Sequence, residues 1–462
     1  PVTFAGPYSL PNEVKDDNNN FGPTFGVAYS PAYEDGVLGR LLGNRETVFR
    51  AGYQIGYDSF FNNIASNAAT SSPNVVATAV PSVVNVVTAP RGLANVTGAL
   101  PLTARPLSPL DSQTLVVQDL VNPYYQRWSV GLQRALPWNV VVDASYVGSK
   151  GTRLYINEDV NPSVPASQRI TPSGFTGSRT CTPATTGCLI SGRLDNLQGS
   201  RLIRTNGGSS IYHSGQLNVT RRFVNGLALT GAYTWSKLID NGSEVFGLGD
   251  VNSPQQASFP AIFGGQPLER AVSFFDRTHR ATFTYVYAIP FMREQRGIVG
   301  RVLGGFEISG VTTFESGVPL TVINGGDADG IGGALDRPDF NPAGDPGTRA
   351  IPNLVAPVTT GSTVAAPNVC NLTMVGQLYY STGPTGSGAC IGLTPGNAQY
   401  IGLLAGTGRR GTLGRFTLRT PGTNNWNFNI LKRINISESK RLELRAEFYN
   451  LFNHPQYGQG SV

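Results

Sequence analysis

A long β-hairpin in residues 210–240 constrains the fold of this chain more than any other feature of its sequence. Asn225-Gly226 lies near its middle, a pair that adopts the two positive-φ positions of a tight hairpin turn at low steric cost. Apolar side chains alternate with polar ones on both sides of the turn, as Leu227 and Leu229 alternate with Ala228 and Thr230. Globular strands usually have about five or six residues, whereas a tilted strand needs about nine to eleven to cross a bilayer. The stretch therefore predicts a transmembrane β-hairpin.

The same alternation predicts four more hairpins. Their paired runs are residues 25–29 with 47–58, 128–132 with 140–146, 281–289 with 306–314, and 426–430 with 442–448. Each hairpin has a short turn, and long polar segments join one hairpin to the next: residues 59–122, 148–209, 241–278 and 317–424. Outer-membrane barrels have this arrangement, with short periplasmic turns and long extracellular loops. A soluble sandwich rarely needs such long connections, although a soluble all-β fold stays open as the alternative.

Composition is consistent with a membrane barrel. The mean hydropathy of −0.11 resembles that of a soluble protein, but alternating strands average out in this way. No stretch of about 18 uninterrupted apolar residues is present, so we expect no transmembrane helix. The predicted fold is all-β: a transmembrane antiparallel β-barrel, of which about ten strands of a larger barrel are visible in the chain.

Neither nucleic-acid binding nor catalysis is expected. The formal net charge of +6 is spread along the chain without a run of like charges or a basic stripe with stacking aromatics. The three histidines, His213, His279 and His454, are far apart, and no HExxH, GxSxG or GxxxxGK[ST] motif occurs. We predict no catalytic residues and no cofactor. A secreted all-β hydrolase ranks third among the hypotheses.

The acidic and cysteine-containing segments do not indicate a metal site. Residues 324–330 resemble half of a calcium loop, but the twelfth position counted from Asp327 is Pro338 instead of a bidentate Glu. The cysteines have neither CxxC spacing nor a neighbouring His, which disfavours zinc. Cys181 with Cys188 and Cys370 with Cys390 form local pairs in small, polar segments. In an oxidising compartment they predict two intra-loop disulfides, with four free thiols as the alternative.

Alternation also assigns side chains to the two faces of the barrel wall. Tyr53, Leu229, Phe283 and Phe428 are predicted to contact lipid. The predicted lumen-facing residues are Arg50, Gln54, Asp143, Glu307, Glu315, Glu443, Arg445 and Glu447. A lumen that is wet or filled by protein tolerates charges that lipid penalises. Mutual ion pairing along the wall would explain most of these charges without a ligand.

Several blocks of the sequence resemble one family. They are NFGP and FGVAY (20–23, 25–29), VFRAGY (48–53), ASYVGSKG (144–151), YTWSK (233–237), DRTHR (276–280), GRFTLRTPG (414–422) and RAEFYNLFNHP (445–455). Together, and in this order, they are similar to the barrel of Oar-like TonB-dependent outer-membrane receptors that carry a carboxypeptidase-regulatory-like domain. The resemblance implies that residues 1–462 are part of one barrel domain. A signal peptide, an N-terminal domain, a plug and a final strand would then lie outside this chain.

The resemblance also implies a location in the bacterial outer membrane. The expected partners are outer-membrane lipid, the protein's own plug, an inner-membrane energy-coupling protein, and an unidentified small-molecule or oligosaccharide ligand. Two functions follow as hypotheses: ligand uptake through a plugged barrel, or a structural, adhesion or secretion-related role without uptake. A plug with a coupler-binding segment would favour uptake.

Overall fold

The computed structural model describes residues 15–59, 62–71, 111–162, 193–195, 198–244, 269–322, 336–345, 354–355, 398–403, 411–437 and 440–455. Three short helices are present: α1 (Gly36–Leu42), α2 (Asn62–Ala69) and α3 (Gly297–Leu303). A 3₁₀ turn covers Pro137–Asn139. Among the described helices, none has both the length and the apolar character that a membrane span requires.

Strands make up most of the described chain. In order they are β1 (Thr24–Tyr29), β2 (Thr47–Tyr57), β3 (Gln113–Val116), β4 (Tyr124–Leu136), β5 (Val140–Asp159), β6 (Arg201–Val224), β7 (Leu227–Asp240), β8 (Ala271–Val272), β9 (His279–Ala288), β10 (Phe306–Glu315), β11 (Pro319–Leu320), β12 (Asp339–Phe340), β13 (Leu354–Val355), β14 (Tyr400–Ile401), β15 (Leu418–Arg419), β16 (Thr423–Asn435) and β17 (Arg441–Phe448).

Ten of these strands form one continuous antiparallel path in the order β1-β2-β4-β5-β6-β7-β9-β10-β16-β17. The five predicted hairpins are confirmed as β1–β2, β4–β5, β6–β7, β9–β10 and β16–β17. Their turns all lie on one side of the sheet, here called the short-turn side. The longer segments between hairpins lie on the other side, the long-connection side. The sheet is not closed: among the described residues β1 and β17 each pair with one neighbour.

The turn between β6 and β7 has the geometry that its sequence predicts. Asn225 and Gly226 both have positive φ, 52° and 84°. The carbonyl oxygen of Gly226 accepts a 2.7 Å hydrogen bond from the backbone N–H of Ala288, at the end of β9. A Cβ at Gly226 would lie 2.7 Å from the carbonyl oxygen of Ala288. Glycine is therefore required here both for its φ and for the close approach of β9.

β5 and β6 are longer than the sequence indicated. They have 20 and 24 residues, so parts of the segment from residue 148 to residue 209, predicted as a polar connection, are strand. Their extensions pair with each other, and β3 pairs in parallel with β6 from Arg201 to Arg204. These rows lie beyond the apolar band of the sheet. Because lipid does not cover them, they carry no apolar alternation for a sequence pattern to detect.

Two of the short turns contain helices that were not predicted. The sequence predicts a short turn in the β1–β2 connection and another in the β9–β10 connection. These connections contain α1 and α3, each of seven residues. A helix of two turns is too short for its periodicity to stand out in sequence.

The register separates the sheet into an apolar and a polar face, because directly paired residues in antiparallel strands project to the same side. Starting from Leu229, one transverse row contains Tyr285, Gly310, Phe428 and Phe448. The adjacent row starts from Thr230 and contains Thr284, Val311 and Asn427. Leu229 and Phe283 are exposed although they are apolar. The first face is suited to lipid and the second to water.

Aromatic residues and histidines lie on the apolar face toward the long-connection side. The hydroxyl oxygen of Tyr146 is 2.6 Å from Nδ1 of His213, and that of Tyr233 is 2.8 Å from Nδ1 of His279. The two rings of each pair are stacked. Amphipathic rings at one edge of an apolar band form the aromatic girdle expected at a membrane interface.

The described part of the long-connection side has its own buried cluster. Its apolar centre consists of Ile64 in α2, Leu120 in the connection from β3 to β4, and Tyr155 in β5. Val116 and Val117 pack at its margin. Small sheets lie on the same side: β11 with β15, and β12-β14-β13. Two features of the sequence lie outside the described residues: the four cysteines, Cys181, Cys188, Cys370 and Cys390, and the calcium-loop-like residues 324–330.

Candidate functional site

The eight residues predicted to face the lumen share one face of the sheet. Register links Arg50 of β2 to Gly131, Ser145, Gln216, Thr234, Arg280 and finally Glu315 of β10. Glu307 is paired with Leu431, which is paired with Arg445 of β17. Each of the remaining four residues is an even number of positions from one of these on its own strand, and therefore projects to the same face. Gln54 is four positions from Arg50, Asp143 is two from Ser145, and Glu443 and Glu447 are each two from Arg445. This face is the polar one.

Three of the eight lie together at the N-terminal end of the sheet. Arg50, Gln54 and Asp143 line a cavity of ≈ 390 Å³ on β1, β2, β4 and β5. Arg50 donates a 3.0 Å hydrogen bond to Oε1 of Gln133, and the Gln54 side-chain amide donates one of 3.2 Å to the Tyr125 hydroxyl. The cavity therefore presents guanidinium, amide, hydroxyl and carboxylate groups, which can bind a polar molecule or another part of the protein.

The other five lie on β10 and β17, away from this cavity, and form ion pairs. Arg433 bridges Glu307 at 2.7 Å and Glu443 at 3.1 Å. Glu315 contacts Arg277 at 3.0 Å and Arg280 at 3.4 Å. Arg445 and Glu447 are 3.4 Å apart. The structure thus divides the predicted set into a hydrogen-bonded group at one end of the sheet and an ion-paired group at the other.

A buried ion-pair network holds the base of the long connections. Arg415 contacts Oδ1 of Asp240 at 2.7 Å, and its Nε donates a 2.8 Å hydrogen bond to the Glu269 carbonyl oxygen. The carboxylate of Glu269 accepts two hydrogen bonds from Arg337, at 3.0 and 3.1 Å. The side chains of Arg415 and Glu269 are each only 1% exposed. Four segments distant in sequence are therefore joined by charges that are desolvated and bonded to each other.

A second contact joins two of the family-like sequence blocks. Asp276 forms an ion pair with Arg419 and accepts a 2.6 Å hydrogen bond from the backbone N–H of Leu238. Nearby, the rings of Phe274 and Phe416 are 5.8 Å apart. Asp276 belongs to the DRTHR block and Arg419 to GRFTLRTPG. Both blocks can be recognised in the sequence. The ion pair between them cannot be predicted from it, because the two residues are 143 positions apart.

A third network, which the sequence does not predict, holds the extensions of β5 and β6. Asp159 accepts hydrogen bonds from Arg193 and Ser200, both at 2.8 Å. The Asn161 amide donates to the carbonyl oxygens of Asp195, Gln198 and Gly199. Burial lowers the pKa of Arg204 to about 10. These hydrogen bonds join the end of β5 to the segment that leads into β6.

The described residues include no group of three or more His, Cys, Asp or Glu side chains arranged to hold a metal ion. The described ionisable groups of the site are engaged mainly with partners of opposite charge, as Glu269 is with Arg337. The geometry is that of a membrane wall with one wet face and braced loop bases.

Comparison with known proteins assigns the family. Residues 2–462 match the family described as outer membrane beta barrel domain. The chain belongs to this family, and the protein is therefore an outer-membrane protein whose sheet crosses the membrane as part of a β-barrel. No curated protein sequence matches the chain.

Several solved structures are similar to this one at low identity. The outer membrane transporter YddB from Escherichia coli has 9% identity and a TM-score of 0.40, over 89% of this chain and 35% of that one. The FrpB iron transporter (F3-3 variant) from Neisseria meningitidis has 10% identity and a TM-score of 0.37, over 94% of this chain and 35% of that one. The siderophore receptor PirA from Pseudomonas aeruginosa has 8% identity and a TM-score of 0.33, over 94% of this chain and 39% of that one. The chain spans little more than a third of the length of these proteins, and the assignment above rests on the family match.

Proposed function

We propose that this chain forms part of the wall of a TonB-dependent outer-membrane receptor, which captures a ligand with its long connections and imports it through the lumen. The observation that carries this proposal is the polar face that continues from β2 to β17 behind an apolar face. A wall with one wet side encloses an aqueous or protein-filled space. Such a space suits passage of a ligand and requires no catalytic group.

The finer assignment is to the Oar-like receptors with a carboxypeptidase-regulatory-like domain. The sequence blocks that resemble this family include the residues that brace the long connections, Asp276, Arg415 and Arg419. In this proposal the braced bases keep the capture surface in a fixed position over the lumen. A plug inside the barrel would face Arg50, Gln54 and Asp143 at one end, and the ion-paired residues of β10 and β17 at the other.

We further propose that additional strands complete the barrel. β1 and β17 each have one neighbour in the described sheet, and an unpaired strand edge is not tolerated in lipid. Refolding residues 1–462 alone into detergent or lipid tests this proposal. We expect no compact monomer with heat-modifiable gel migration. A protease-resistant monomeric barrel from this chain would contradict it.

Coupling to the inner membrane tests the proposed transport function. The complete protein is purified and titrated with the periplasmic domain of the energy-coupling protein in a calorimeter. We expect saturable binding, which is lost when the coupler-binding segment is deleted. In cells, uptake of the candidate ligand should stop when the proton gradient is dissipated.

The alternative, a structural, adhesion or secretion-related barrel, predicts neither result. Absence of coupler binding by a protein shown to be folded would reject the transport proposal. Loss of cell adhesion or secretion on deletion, with ligand uptake unchanged, would then support the alternative.

A further inference from the structure

The two helices in the short turns share one sequence pattern. α1 reads GVLGRLL and α3 reads GIVGRVL: Gly, two apolar residues, Gly, Arg and two apolar residues. Both lie on the short-turn side, one inside the β1–β2 hairpin and the other inside β9–β10. The same seven-residue pattern at equivalent places in two hairpins indicates a shared role.

The helices are also packed in the same manner. The central glycines, Gly39 and Gly300, each lie against the backbone of the turn that enters the helix. A Cβ at Gly39 would be 2.9 Å from the carbonyl of Glu34, and a Cβ at Gly300 would be 2.9 Å from the carbonyl carbon of Gln295. At about 100° per residue, the apolar positions of the pattern occupy one continuous arc of the helix surface, turned away from these glycines. Each helix therefore has its small side against the protein and its apolar side outward.

A cation from the apolar face of the sheet binds the C-terminal carbonyls of each helix. Arg134 donates a 3.2 Å hydrogen bond to the carbonyl oxygen of Arg40. Lys432 donates to the carbonyl oxygen of Val302 at 3.0 Å and to that of Gly304. A cation is favourable at this end of a helix, where carbonyl groups lack intrahelical partners.

These two cations occupy equivalent positions in the sheet. Arg134 pairs with Thr47, the first residue of β2, and Lys432 pairs with Phe306, the first residue of β10. Both continue apolar rows, since Leu132 and Ile430 lie two positions away on the same face. The repeated contact fixes both helices at the edge of the lipid-facing surface and not at the edge of the polar face.

Most of the apolar arc of each helix is exposed in the described structure, although Leu42 of α1 is half-buried. Val37 of α1 is 73% exposed and Ile298 of α3 is 81% exposed, and the adjacent Leu41 and Val299 are also exposed. Apolar surface of this kind marks a contact with a membrane or a partner. Because it is continuous with the lipid-facing side of the sheet, the membrane is the occupant that the geometry favours.

Basic residues accompany the arcs. Arg40 and Arg301 occupy the same position of the pattern and are exposed. Arg134 and Arg221 lie at the short-turn edge of the apolar face. Guanidinium groups beside an apolar surface match lipid phosphates beside acyl chains.

We propose that α1 and α3 are interfacial anchors that lie in the phospholipid headgroup region on the short-turn side of the outer membrane. Their apolar arcs enter the acyl-chain boundary, and Arg40 and Arg301 bind lipid phosphates. The anchors fix the depth of two hairpins in the leaflet. This role is independent of whether the barrel imports a ligand.

Nitroxide accessibility in the complete protein tests the proposal. The native cysteines, which include Cys181, Cys188, Cys370 and Cys390, are replaced by Ser, and single labels are placed with Val37→Cys and Ile298→Cys. Matched controls in the same turns use Asp35→Cys and Glu294→Cys, which replace exposed polar residues. In phosphatidylethanolamine–phosphatidylglycerol vesicles, labels at 37 and 298 should collide several-fold less with a water-soluble nickel chelate than the controls, and more with oxygen. Equal nickel accessibility at all four positions would overturn the proposal.

A photocrosslinking experiment keeps the native cysteines. Benzoylphenylalanine is incorporated at position 37 or 298 of the complete protein in cells, followed by irradiation and mass spectrometry. The expected product carries the mass of one phospholipid. An adduct with another protein or a second copy of this chain, or no adduct at either position, would contradict the lipid assignment.

Discussion

Charged side chains have different environments in the wall of the sheet and at the base of the long connections. In the wall, Arg280 contacts Glu315 with 63% of its own side chain exposed. At the loop base, Arg415 contacts Asp240 with exposed fractions of 1% and 5%. Solvated pairs contribute little to stability, whereas breaking a buried pair leaves an uncompensated charge. The wall charges therefore define a surface, and the buried charges hold segments together.

The largest predicted effect comes from breaking the buried network. Arg415→Ala leaves Asp240 and Glu269 without one of their cationic partners, and we expect it to destabilise the complete protein by about 3–5 kcal/mol. Arg280→Ala is the matched control in the wall and should cost about 0–1 kcal/mol. Urea unfolding in liposomes gives both values. Equal effects of the two substitutions would show that the two environments do not differ in the way described.

The next prediction compares the apolar and polar faces of the sheet at the same depth in the membrane. Leu229 and Thr230 are neighbours in β7 on opposite faces of the sheet. Leu229 pairs with Arg221 near the short-turn edge of the apolar face, so Leu229→Arg should cost about 1–2 kcal/mol, less than the penalty at the bilayer midplane. Thr230→Arg should cost much less, because its side chain lies on the polar face that we predict to line the lumen. Folding free energies measured in lipid check the pair, and a larger penalty at Thr230 would reverse the assignment of faces.

The cysteines extend the comparison to the long connections. We predict disulfides Cys181–Cys188 and Cys370–Cys390, which would close these segments covalently on the outer side of the barrel. Each would contribute about 2–3 kcal/mol at best in the entropic model, and only locally. Peptide mapping under non-reducing conditions should recover both linked pairs. Four alkylatable thiols in the native protein would rule them out.

The smallest predicted effect concerns the β6–β7 turn. Gly226→Ala imposes a positive φ on a residue with a side chain and brings its Cβ against Ala288, so we expect a loss of about 1–2 kcal/mol. Gly215→Ala in β6 is the control, because nothing lies within 4 Å of a Cβ built there. Thermal or urea unfolding of both variants gives the difference. A neutral Gly226→Ala would show that the turn can relax away from β9.

Local pattern predicted the sheet but not the contacts that brace it. The Asn225-Gly226 turn and the alternation around Leu229 are confirmed because each is determined by residues adjacent in sequence. α1 and α3 escaped prediction because seven residues give too little periodicity. The extended ends of β5 and β6 lack the apolar alternation that lipid imposes.

The loop-base networks could not be predicted for a different reason. Arg415 and Asp240 are 175 positions apart, and nothing in either neighbourhood specifies the other. Asp276 and Arg419 lie in the DRTHR and GRFTLRTPG blocks, whose family resemblance marks both residues as candidates for a structural or functional role. Their partnership depends on the register of β7, β9 and β10, which only the folded sheet provides.

The central claim is that the apolar face of this sheet meets lipid and the polar face meets the lumen. Site-directed spin labelling of the complete protein in a bilayer tests it directly. Labels at Tyr53, Leu229, Phe283 and Phe428 should collide preferentially with oxygen, and labels at Gln54 and Thr230 with a water-soluble nickel chelate. The opposite result, aqueous access at the first four positions with lipid access at Gln54 and Thr230, would contradict the account.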